Sequence, residues 1–374
     1  IEFCNSPAGT TTLAGVRAAE GSPDPLNVVY WGVGNEPWGC GGDFTAEDYA
    51  TELRRYTAWV PSFDMQLRYI AAGANSGDVE WTRRFFSQLT KDSPGMARRL
   101  WGFSFHHYAW NVSSGRTTDW NEGKGPAVGF TTEQYYELLR DADKMDGFIA
   151  AHWQAMGEFD KSRHVKLVVD EWGAWHKPGT EAHPSHTLGQ TSTLRDALLA
   201  GLTLDTFHRH ADKVGMANIA QLVNCLQSLF VAHEDKFIVT PNYDVFEMYM
   251  DHMGAQAVRS QFSAPRVSYQ RNGQPATFWG LAGSASRRGD KDVVVTVVNP
   301  SATDARATEI AVRGAKINSY AIRTLTAPAL DAHNSFEQPS AVTAPPDMTP
   351  DWKGEPLVLT LPKASVSRVL LKLA

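Results

Sequence analysis

The chain has 374 residues, a length that accommodates two or three domains with hydrophobic cores of ordinary size. Hydrophobic residues make up 43% and charged residues 20%, which excludes an intrinsically disordered or fibrous protein. The net charge of −6 argues against a nucleic-acid partner. No apolar run reaches the roughly 18 residues of a membrane span, so we predict neither a nucleic-acid nor a membrane partner.

The cysteines and histidines predict no metal site. Cys4, Cys40 and Cys225 are too few for a disulfide scaffold, and no C-x-x-C pair suggests zinc. A disulfide between Cys4 and Cys40 is an alternative, but free thiols are the prediction. His183 and His186 are not a helical i, i+4 pair, so a solvated loop is favoured over a metal site.

From residue 26 to residue 253, short apolar runs alternate with helical patterns. The apolar runs predict five strands: Val28–Gly34, Leu67–Gly73, Trp101–His106, Lys166–Glu171 and Gly215–Ala220. The helical patterns predict five helices: Ala46–Val60, Glu80–Leu89, Thr131–Glu158, Thr191–Asp212 and Gln221–Phe230. Strands that are apolar on both faces and separated by helices are typical of a parallel sheet covered on both sides.

The opening segment Ile1–Asn5 resembles the inside of a strand, which would make six strands in all. A closed (β/α)₈ barrel needs eight. We therefore predict an α/β fold in which residues 1–262 form strands 3–8 of a (β/α)₈ TIM-type barrel. The first strands would be absent from this chain and would precede Ile1.

The pattern changes after about residue 262, where strand-like runs follow one another without helices. These runs are Asp292–Val298, Ala305–Val312, Ser319–Leu325, Leu357–Leu361 and Val366–Leu373. They predict an antiparallel β-sandwich, jelly-roll-like, over residues 263–374. The stretch Thr326–Pro356 is rich in Pro, Ala, Asp and Ser and is interpreted as a long loop within the sandwich.

Two carboxylates stand at the ends of predicted barrel strands. Glu36 follows the apolar run Val28–Gly34, and Glu171 ends the run Lys166–Glu171. The carboxyl ends of barrel strands form the active face, and a facing pair of carboxylates suits glycoside hydrolysis. One carboxyl group of the pair must hold a proton near neutral pH. We expect the apolar rings of Trp31 and Trp38 near Glu36 to keep that carboxyl protonated.

Several readings stay open at this stage. The spacing of the two glutamates does not assign their roles. His106 ends a predicted strand and is equally well a hydrogen-bonded structural histidine or a site residue. Asn111-Val112-Ser113 matches a glycosylation sequon, which has meaning only in a secreted eukaryotic protein.

The chain resembles the family 51 glycoside hydrolases, the α-L-arabinofuranosidases, along nearly its whole length. The segments that carry the resemblance are Tyr30–Glu36 with Trp38–Gly42, Val169–Gly173, Ala217–Asn224, Thr240–Phe246 and Ala332–Glu337. Glu2–Asn5 resembles the third barrel strand of that family. The Asn-Glu pair alone is shared by a wider clan of barrel hydrolases, so the combination of segments is what makes the resemblance specific.

The resemblance implies a retaining mechanism that needs no cofactor. Glu36 would be the general acid/base and Glu171 the nucleophile. Asn35 would bind the sugar hydroxyl next to the anomeric carbon, which requires the strand end to leave its regular pleat. Tyr108 would contact the substrate and place its hydroxyl near the nucleophile, and Trp172 would stack on a sugar at the pocket rim. The remaining residues with expected substrate contacts are His106 and Gln221.

The expected reaction is release of terminal α-L-arabinofuranosyl groups from arabinoxylan, arabinan or related saccharides. The alternatives are an endo-β-1,4-glucanase or xylanase on the same scaffold, or a carbohydrate-binding fragment without catalysis. The family resemblance also implies an N-terminal polypeptide segment that supplies the first barrel strands, so we expect a further segment to close the barrel. Homo-oligomers are a further expectation, and the sequence does not indicate a compartment.

Overall fold

The computed structural model describes residues 1–63, 65–110, 123–352, 354 and 356–374. The sequon Asn111-Val112-Ser113 lies outside the described residues. The chain forms two compact units. The first contains Ile1–His106, Phe148–Val169 and Lys213–Met216; the second contains His107–Gly147, Asp170–Asp212 and Ala217–Ala374. Within the described ranges, no helix is long and apolar enough to cross a bilayer.

A five-stranded sheet confirms the five strands predicted between residues 26 and 253. Its strands are β1 (Tyr30–Val33), β2 (Arg68–Asn75), β3 (Leu100–Ala109), β4 (Lys166–Ala174) and β5 (Val214–Ile219), in the order β1-β2-β3-β4-β5. The β1–β2 and β2–β3 pairs are parallel. Most residues of β2 and β3 are buried, as expected for a sheet covered on both faces.

Helices separate the strands of this sheet. They are α3 (Ala46–Tyr56), α4 (Val79–Thr90), α5 (Thr132–Ala142), α6 (Lys144–Phe159) and α7 (Leu194–Arg209). Thr131 and Gln134 form the predicted capping box at the start of α5. The single helix predicted over Thr131–Glu158 is two helices, because α5 ends at Ala142 and α6 begins at Lys144.

The opening segment is a helix, so the strand predicted at Ile1–Asn5 is wrong. Residues Glu2–Asn5 form α1, and α2 follows at Thr12–Ala19. The Asn5 side chain donates to the carbonyl of Val28 and accepts from its N–H, both at 2.8 Å. A run of five residues is too short for its apolar content to separate a strand from a helical turn. The described sheet therefore contains five strands rather than the six that were expected.

The helix predicted over Gln221–Phe230 is also wrong. Asn224 and Leu226 have φ angles of 55° and 51°, which no right-handed helix accommodates. The segment leads into a hairpin of β6 (Phe230–His233) and β7 (Lys236–Val239), followed by helix α8 (Pro241–Tyr249).

Antiparallel sheets follow α8, in agreement with the predicted sandwich pattern. One sheet has the order β14-β16-β12-β11-β8 and two further pairs are β9–β10 and β13–β15. The bounds are β8 (Gln256–Ala257), β9 (Val267–Arg271), β10 (Gln274–Phe278), β11 (Ala282–Arg288), β12 (Asp292–Asn299), β13 (Arg306–Ile310), β14 (Ile317–Leu325), β15 (Leu357–Leu361) and β16 (Ser365–Leu373). Because β8 pairs with β11, this sheet begins before residue 263. Its alternating inward residues, among them Val295, Val297, Val369 and Leu371, form an apolar core.

A buried carboxylate joins α7 to this sheet within the second unit. Asp205 is fully buried and accepts hydrogen bonds from Ser284 Oγ at 2.7 Å and Thr296 Oγ1 at 2.6 Å. Burial raises the pKa of Asp205 to about 6, and the two hydroxyl donors offset this only in part. The free energy of this contact between helix and sheet therefore depends on pH.

Candidate active site

Glu36 lies in a turn that leaves the pleat of β1. The strand ends at Val33, Gly34 has a φ of 99°, and Glu36 itself has a φ of 40° in the left-handed region. The Glu36 carbonyl accepts hydrogen bonds from the N–H groups of Gly39 at 2.9 Å and Gly41 at 3.0 Å. Adjacent strand residues normally point to opposite faces, so we predicted a departure from strand geometry that would let Asn35 and Glu36 serve one site. The turn is that departure.

The turn leaves no room for a side chain at Gly41. A Cβ there would lie 1.6 Å from the carbonyl oxygen of Asn35 and 2.9 Å from that of Glu36. Asn35 is exposed in the same turn. Its contact with a sugar hydroxyl stays a prediction.

The Glu36 carboxylate has a different donor on each oxygen. His106 Nδ1 lies 2.9 Å from Oε1, and Cys40 Sγ lies 3.3 Å from Oε2. His106 is buried in the last third of β3, whereas the Glu36 side chain keeps 22% of its surface exposed. His106 therefore contacts the predicted acid/base directly, which favours the site reading that the sequence had left open.

The hydrogen bond from His106 lowers the pKa of Glu36, against the opposing effect of burial, and the Cys40 thiol lowers it further. The expectation that Trp31 and Trp38 keep Glu36 protonated is wrong, because polar donors outweigh apolar surroundings at this carboxylate. The Nε1–H of Trp31 donates a hydrogen bond to the carbonyl of Val28, at 2.9 Å.

Glu171 lies in the second unit, in the C-terminal half of β4, and is half-buried. The hydroxyl of Tyr108 donates to Glu171 Oε2 at 2.6 Å, as predicted for the residue near the nucleophile. This charge-assisted bond fixes one carboxylate oxygen and orients the other. Cys225 is near enough that the charge of Glu171 adds to burial in raising the pKa of its thiol.

Trp172 is not at a pocket rim, so its predicted stacking on a sugar is wrong. The side chain is 1% exposed and packs against Phe207 and Phe246, with ring centroids 5.3 and 6.1 Å away. Successive residues of a strand point to opposite faces, so Trp172 enters the core when Glu171 faces the other way.

One aromatic and one cationic side chain near Glu171, those of Trp175 and Lys124, were missed by sequence reasoning. Trp175 contacts the ring of Tyr108 edge to face, with centroids 5.1 Å apart. Lys124 Nζ lies 3.9 Å from the centroid of Trp175, and burial lowers the pKa of Lys124 to about 8. The position of Trp175 one residue past β4 was a usable signal, whereas nothing in the sequence around Lys124 indicated a site.

Gln221 follows β5 and is exposed, and its N–H donates to the carbonyl of Cys225 at 2.9 Å. Its contact with a sugar stays a prediction. Among the described residues Cys4, Cys40 and Cys225 form no disulfide, in agreement with the prediction.

The histidines of the loop after β4 have structural partners. His176 is buried, and its Nε2 lies 2.8 Å from Asp196 Oδ1. Burial would raise the pKa of Asp196, but the charge and hydrogen bond of His176, with the charge of Arg195, lower it to about 2. The His183 ring stacks on that of His233, with centroids 4.5 Å apart. These contacts favour a structural role for His176.

An apolar cavity of about 510 Å³ lies beside β1 in the first unit. Its lining includes backbone of the Glu36 turn and rings of α3 and the strands: Trp31, Gly34, Pro37, Gly41, Phe44, Tyr49, Leu53, Tyr56 and Tyr69. β1 pairs only with β2 in the described sheet. Trp31, Gly32 and Val33 of this strand line the cavity.

Two family profiles match the sequence. The profile described as the α-L-arabinofuranosidase C-terminal domain matches residues 170–365, and that described as the α-L-arabinofuranosidase 1 domain matches residues 1–128. An intracellular exo-α-L-arabinofuranosidase of Bacteroides ovatus is 33% identical over 92% of this chain and 64% of its own length. An intracellular exo-α-(1→5)-L-arabinofuranosidase of Streptomyces lividans is 25% identical over 92% of this chain.

Solved structures agree with these matches. The GH51 arabinofuranosidase of Xanthomonas axonopodis pv. citri is 31% identical, with a TM-score of 0.85 over 99% of this chain and 71% of its own. The arabinose complex of the Thermotoga maritima α-L-arabinofuranosidase is 26% identical, with a TM-score of 0.77. The chain spans 64% and 50% of the lengths of the Bacteroides and Streptomyces relatives. The chain belongs to the family 51 α-L-arabinofuranosidases.

Proposed function

We propose that this chain is the part of a retaining exo-α-L-arabinofuranosidase that carries both catalytic carboxylates. The reaction is release of terminal non-reducing α-L-arabinofuranosyl residues from arabinoxylan or arabinan-type saccharides. The observation that carries the proposal is that Glu36 and Glu171 are each held by a polar donor, His106 and Tyr108. Relatives named exo-α-L-arabinofuranosidases support the choice of sugar.

In the first step, Glu171 attacks the anomeric carbon while the glycosidic C–O bond breaks. Glu36 gives its proton to the departing oxygen, so the aglycone leaves as a neutral alcohol. The sugar is then joined to Glu171 through an ester bond. The hydroxyl of Tyr108 keeps one oxygen of Glu171 occupied, which directs the other toward the sugar.

In the second step, ionised Glu36 removes a proton from water, and the water oxygen attacks the same carbon. The ester bond breaks, Glu171 is restored as a carboxylate, and the product keeps the anomeric configuration of the substrate. The proposal requires the carboxyl groups of Glu36 and Glu171 to lie about 5–5.5 Å apart in the active enzyme.

The low pKa of Glu36 suits its role as base in the second step. For the first step Glu36 must be protonated, which the negative charge of an unreacted nucleophile promotes. Between the two steps Glu36 is ionised, because its proton has left with the aglycone, and the hydrogen bond from His106 stabilises that carboxylate until it takes a proton from water.

We propose that a further polypeptide segment covers the apolar cavity beside β1 and pairs with the open edge of that strand. The apolar lining and the longer relatives support this. With that segment the sheet would close into a (β/α)₈ barrel. Homo-oligomer formation, expected from the family resemblance, stays a prediction.

The test compares Glu171→Gln and Glu36→Gln in the full-length natural protein that contains this chain. On a 4-nitrophenyl arabinofuranoside, Glu171→Gln should lose about 10⁴-fold or more of kcat. The 4-nitrophenolate leaving group needs no acid, so Glu36→Gln should still form the ester with Glu171. The ester should then accumulate because the second step lacks its base, and azide should restore its breakdown. Glu309→Gln, an exposed change on β13, is the matched control.

Product analysis separates the proposal from its alternatives. Proton NMR should show arabinose released first as the α-anomer, whereas the β-anomer would contradict retention. Shortening of xylan or glucan backbones would favour the endo-β-1,4-glucanase or xylanase. Saccharide binding with no turnover in any of the proteins would favour an inactive binding fragment.

A further inference from the structure

We propose that Cys40 is a positioning residue that orients the acid/base carboxylate through its thiol. The inference rests on the proposed role of Glu36 and assigns a task to a side chain that the mechanism above does not use. The thiol lies 3.3 Å from Glu36 Oε2, within the range of a hydrogen bond to sulfur. A thiol next to an ionised carboxylate can only donate, so the S–H points at the oxygen.

The two donors on Glu36 come from separate parts of the first unit. His106 holds Oε1 from β3, and Cys40 holds Oε2 from the turn after β1. The last torsion of a glutamate side chain is broad and soft, so a single hydrogen bond would leave the carboxylate plane free to rotate. Two donors on opposite oxygens fix that plane.

The backbone of the turn places the thiol there. The Glu36 carbonyl accepts the N–H groups of Gly39 and Gly41, on either side of Cys40, which folds residue 40 back under residue 36. The close approach of Gly41 to the carbonyl oxygen of Asn35 fixes the turn further. The contact of Cys40 with Glu36 therefore follows from a constrained backbone.

A thiol is a weaker donor than an imidazole. Oε2 is consequently the oxygen that an incoming glycosidic oxygen or water can claim with the smaller loss of hydrogen bonding. The structure thus assigns proton transfer to Oε2 and anchoring to Oε1. A stronger donor at position 40 would compete with substrate, whereas none would leave the carboxylate less ordered.

The first test needs no turnover. Alkylation of Cys40 by iodoacetamide is followed by peptide mass spectrometry in the wild-type protein and in Glu36→Gln. Loss of the carboxylate removes the charge that opposes thiolate formation, so alkylation of Cys40 should become about threefold faster, equal to half a pKa unit. Cys4 is the internal control, and Asp43→Asn, in the same loop, is the matched control variant.

The second test follows kcat/KM against pH in Cys40→Ala, Cys40→Ser and Cys4→Ala. Without the thiol the ionised form of Glu36 is less stabilised, so the alkaline limb of Cys40→Ala should move up by about 0.5 pH unit. Cys40→Ser keeps a donor and should lie closer to the wild type than Cys40→Ala does. Cys4→Ala should overlay the wild type, because the thiol hydrogen-bonded to Glu36 is that of Cys40.

Each outcome decides a separate point. Equal alkylation rates of Cys40 in wild type and Glu36→Gln would overturn the contact. An unchanged alkaline limb in Cys40→Ala would overturn the positioning role even if the contact exists. Full activity of Glu36→Gln on poor leaving groups would refute the proposed function, and the alkylation result would still report the contact.

Discussion

Glu36 and Glu171 are both half-buried carboxylates, but the chain holds them by different means. Glu36 lies in a left-handed turn with an imidazole on one oxygen and a thiol on the other. Glu171 lies in a strand and accepts a hydrogen bond from the hydroxyl of Tyr108. A group that must gain and lose a proton needs donors that set its proton affinity, whereas a nucleophile needs a fixed direction.

Two carboxylates of α7 extend the comparison. Asp196 faces His176 and Arg195, and its pKa is lowered to about 2 in spite of burial. Asp205 accepts hydrogen bonds from the hydroxyls of Ser284 and Thr296, and burial raises its pKa to about 6. At Asp196 the imidazole and the guanidinium together with a backbone N–H outweigh desolvation, whereas the hydroxyls at Asp205 offset it only in part.

The largest expected effect comes from breaking the turn that holds Glu36. In Gly41→Ala the new Cβ would overlap the carbonyl oxygen of Asn35, so the turn must open and displace Glu36, the proposed acid/base. We expect kcat/KM to fall by about 10²-fold or more. Gly95→Ala is the control, because a Cβ there meets no atom within 4 Å. Wild-type activity in Gly41→Ala would show that the turn is dispensable.

Asp205→Asn tests the buried carboxylate that accepts hydrogen bonds from two hydroxyl groups. The folded-state pKa of about 6 exceeds the reference value of 3.8, so stability conferred by the protonated carboxyl is lost as pH rises from about 4 to 6. The loss is at most about 3 kcal/mol. In urea unfolding, Asp205→Asn should gain up to this amount relative to wild type between pH 4 and pH 7.

Asp290→Asn, in an exposed loop, is the control for that measurement. It should run parallel to the wild type across the same range. Identical pH dependence in Asp205→Asn and wild type would mean that Asp205 is not the titrating group.

Tyr108→Phe tests how Glu171, the proposed nucleophile, is oriented. It removes the hydroxyl that donates to Glu171 while keeping the ring against Trp175. A hydrogen bond to a charged group contributes about 1.5–3 kcal/mol, so kcat/KM should fall by about tenfold or more. Tyr320→Phe in β14 is the matched control, and an unaffected Tyr108→Phe enzyme would show that strand geometry alone orients Glu171.

The smallest effect distinguishes the two donors of Glu36. His106→Asn removes the larger cause of its low pKa, so the alkaline limb of the pH profile should move up by about 1 unit. His164→Asn, an exposed change, is the control. A shift smaller than that of Cys40→Ala would reverse the ranking of imidazole and thiol.

The sequence predicted the parallel sheet because its strands are apolar on both faces, and it predicted the glutamates because a charge at the end of such a strand needs a reason. It could not predict the donors of Glu36. His106 is 70 residues away in the sequence, and Cys40 reaches Glu36 only through the left-handed turn.

The errors have local causes. Ile1–Asn5 was too short for its period to identify a helix, and Gln221–Phe230 contained residues whose positive φ angles no composition rule indicated. Trp172 was assigned to a rim because it is aromatic and next to Glu171. Strand alternation, applied at that one position, would have placed it in the core and directed attention to Trp175.

Because the Glu36 carbonyl accepts the N–H groups of Gly39 and Gly41, the number of residues in this turn is fixed. An insertion or deletion between residues 36 and 41 would shift which side chain faces the carboxylate. Libraries built around this site should therefore keep the number of residues from Glu36 to Gly41 unchanged.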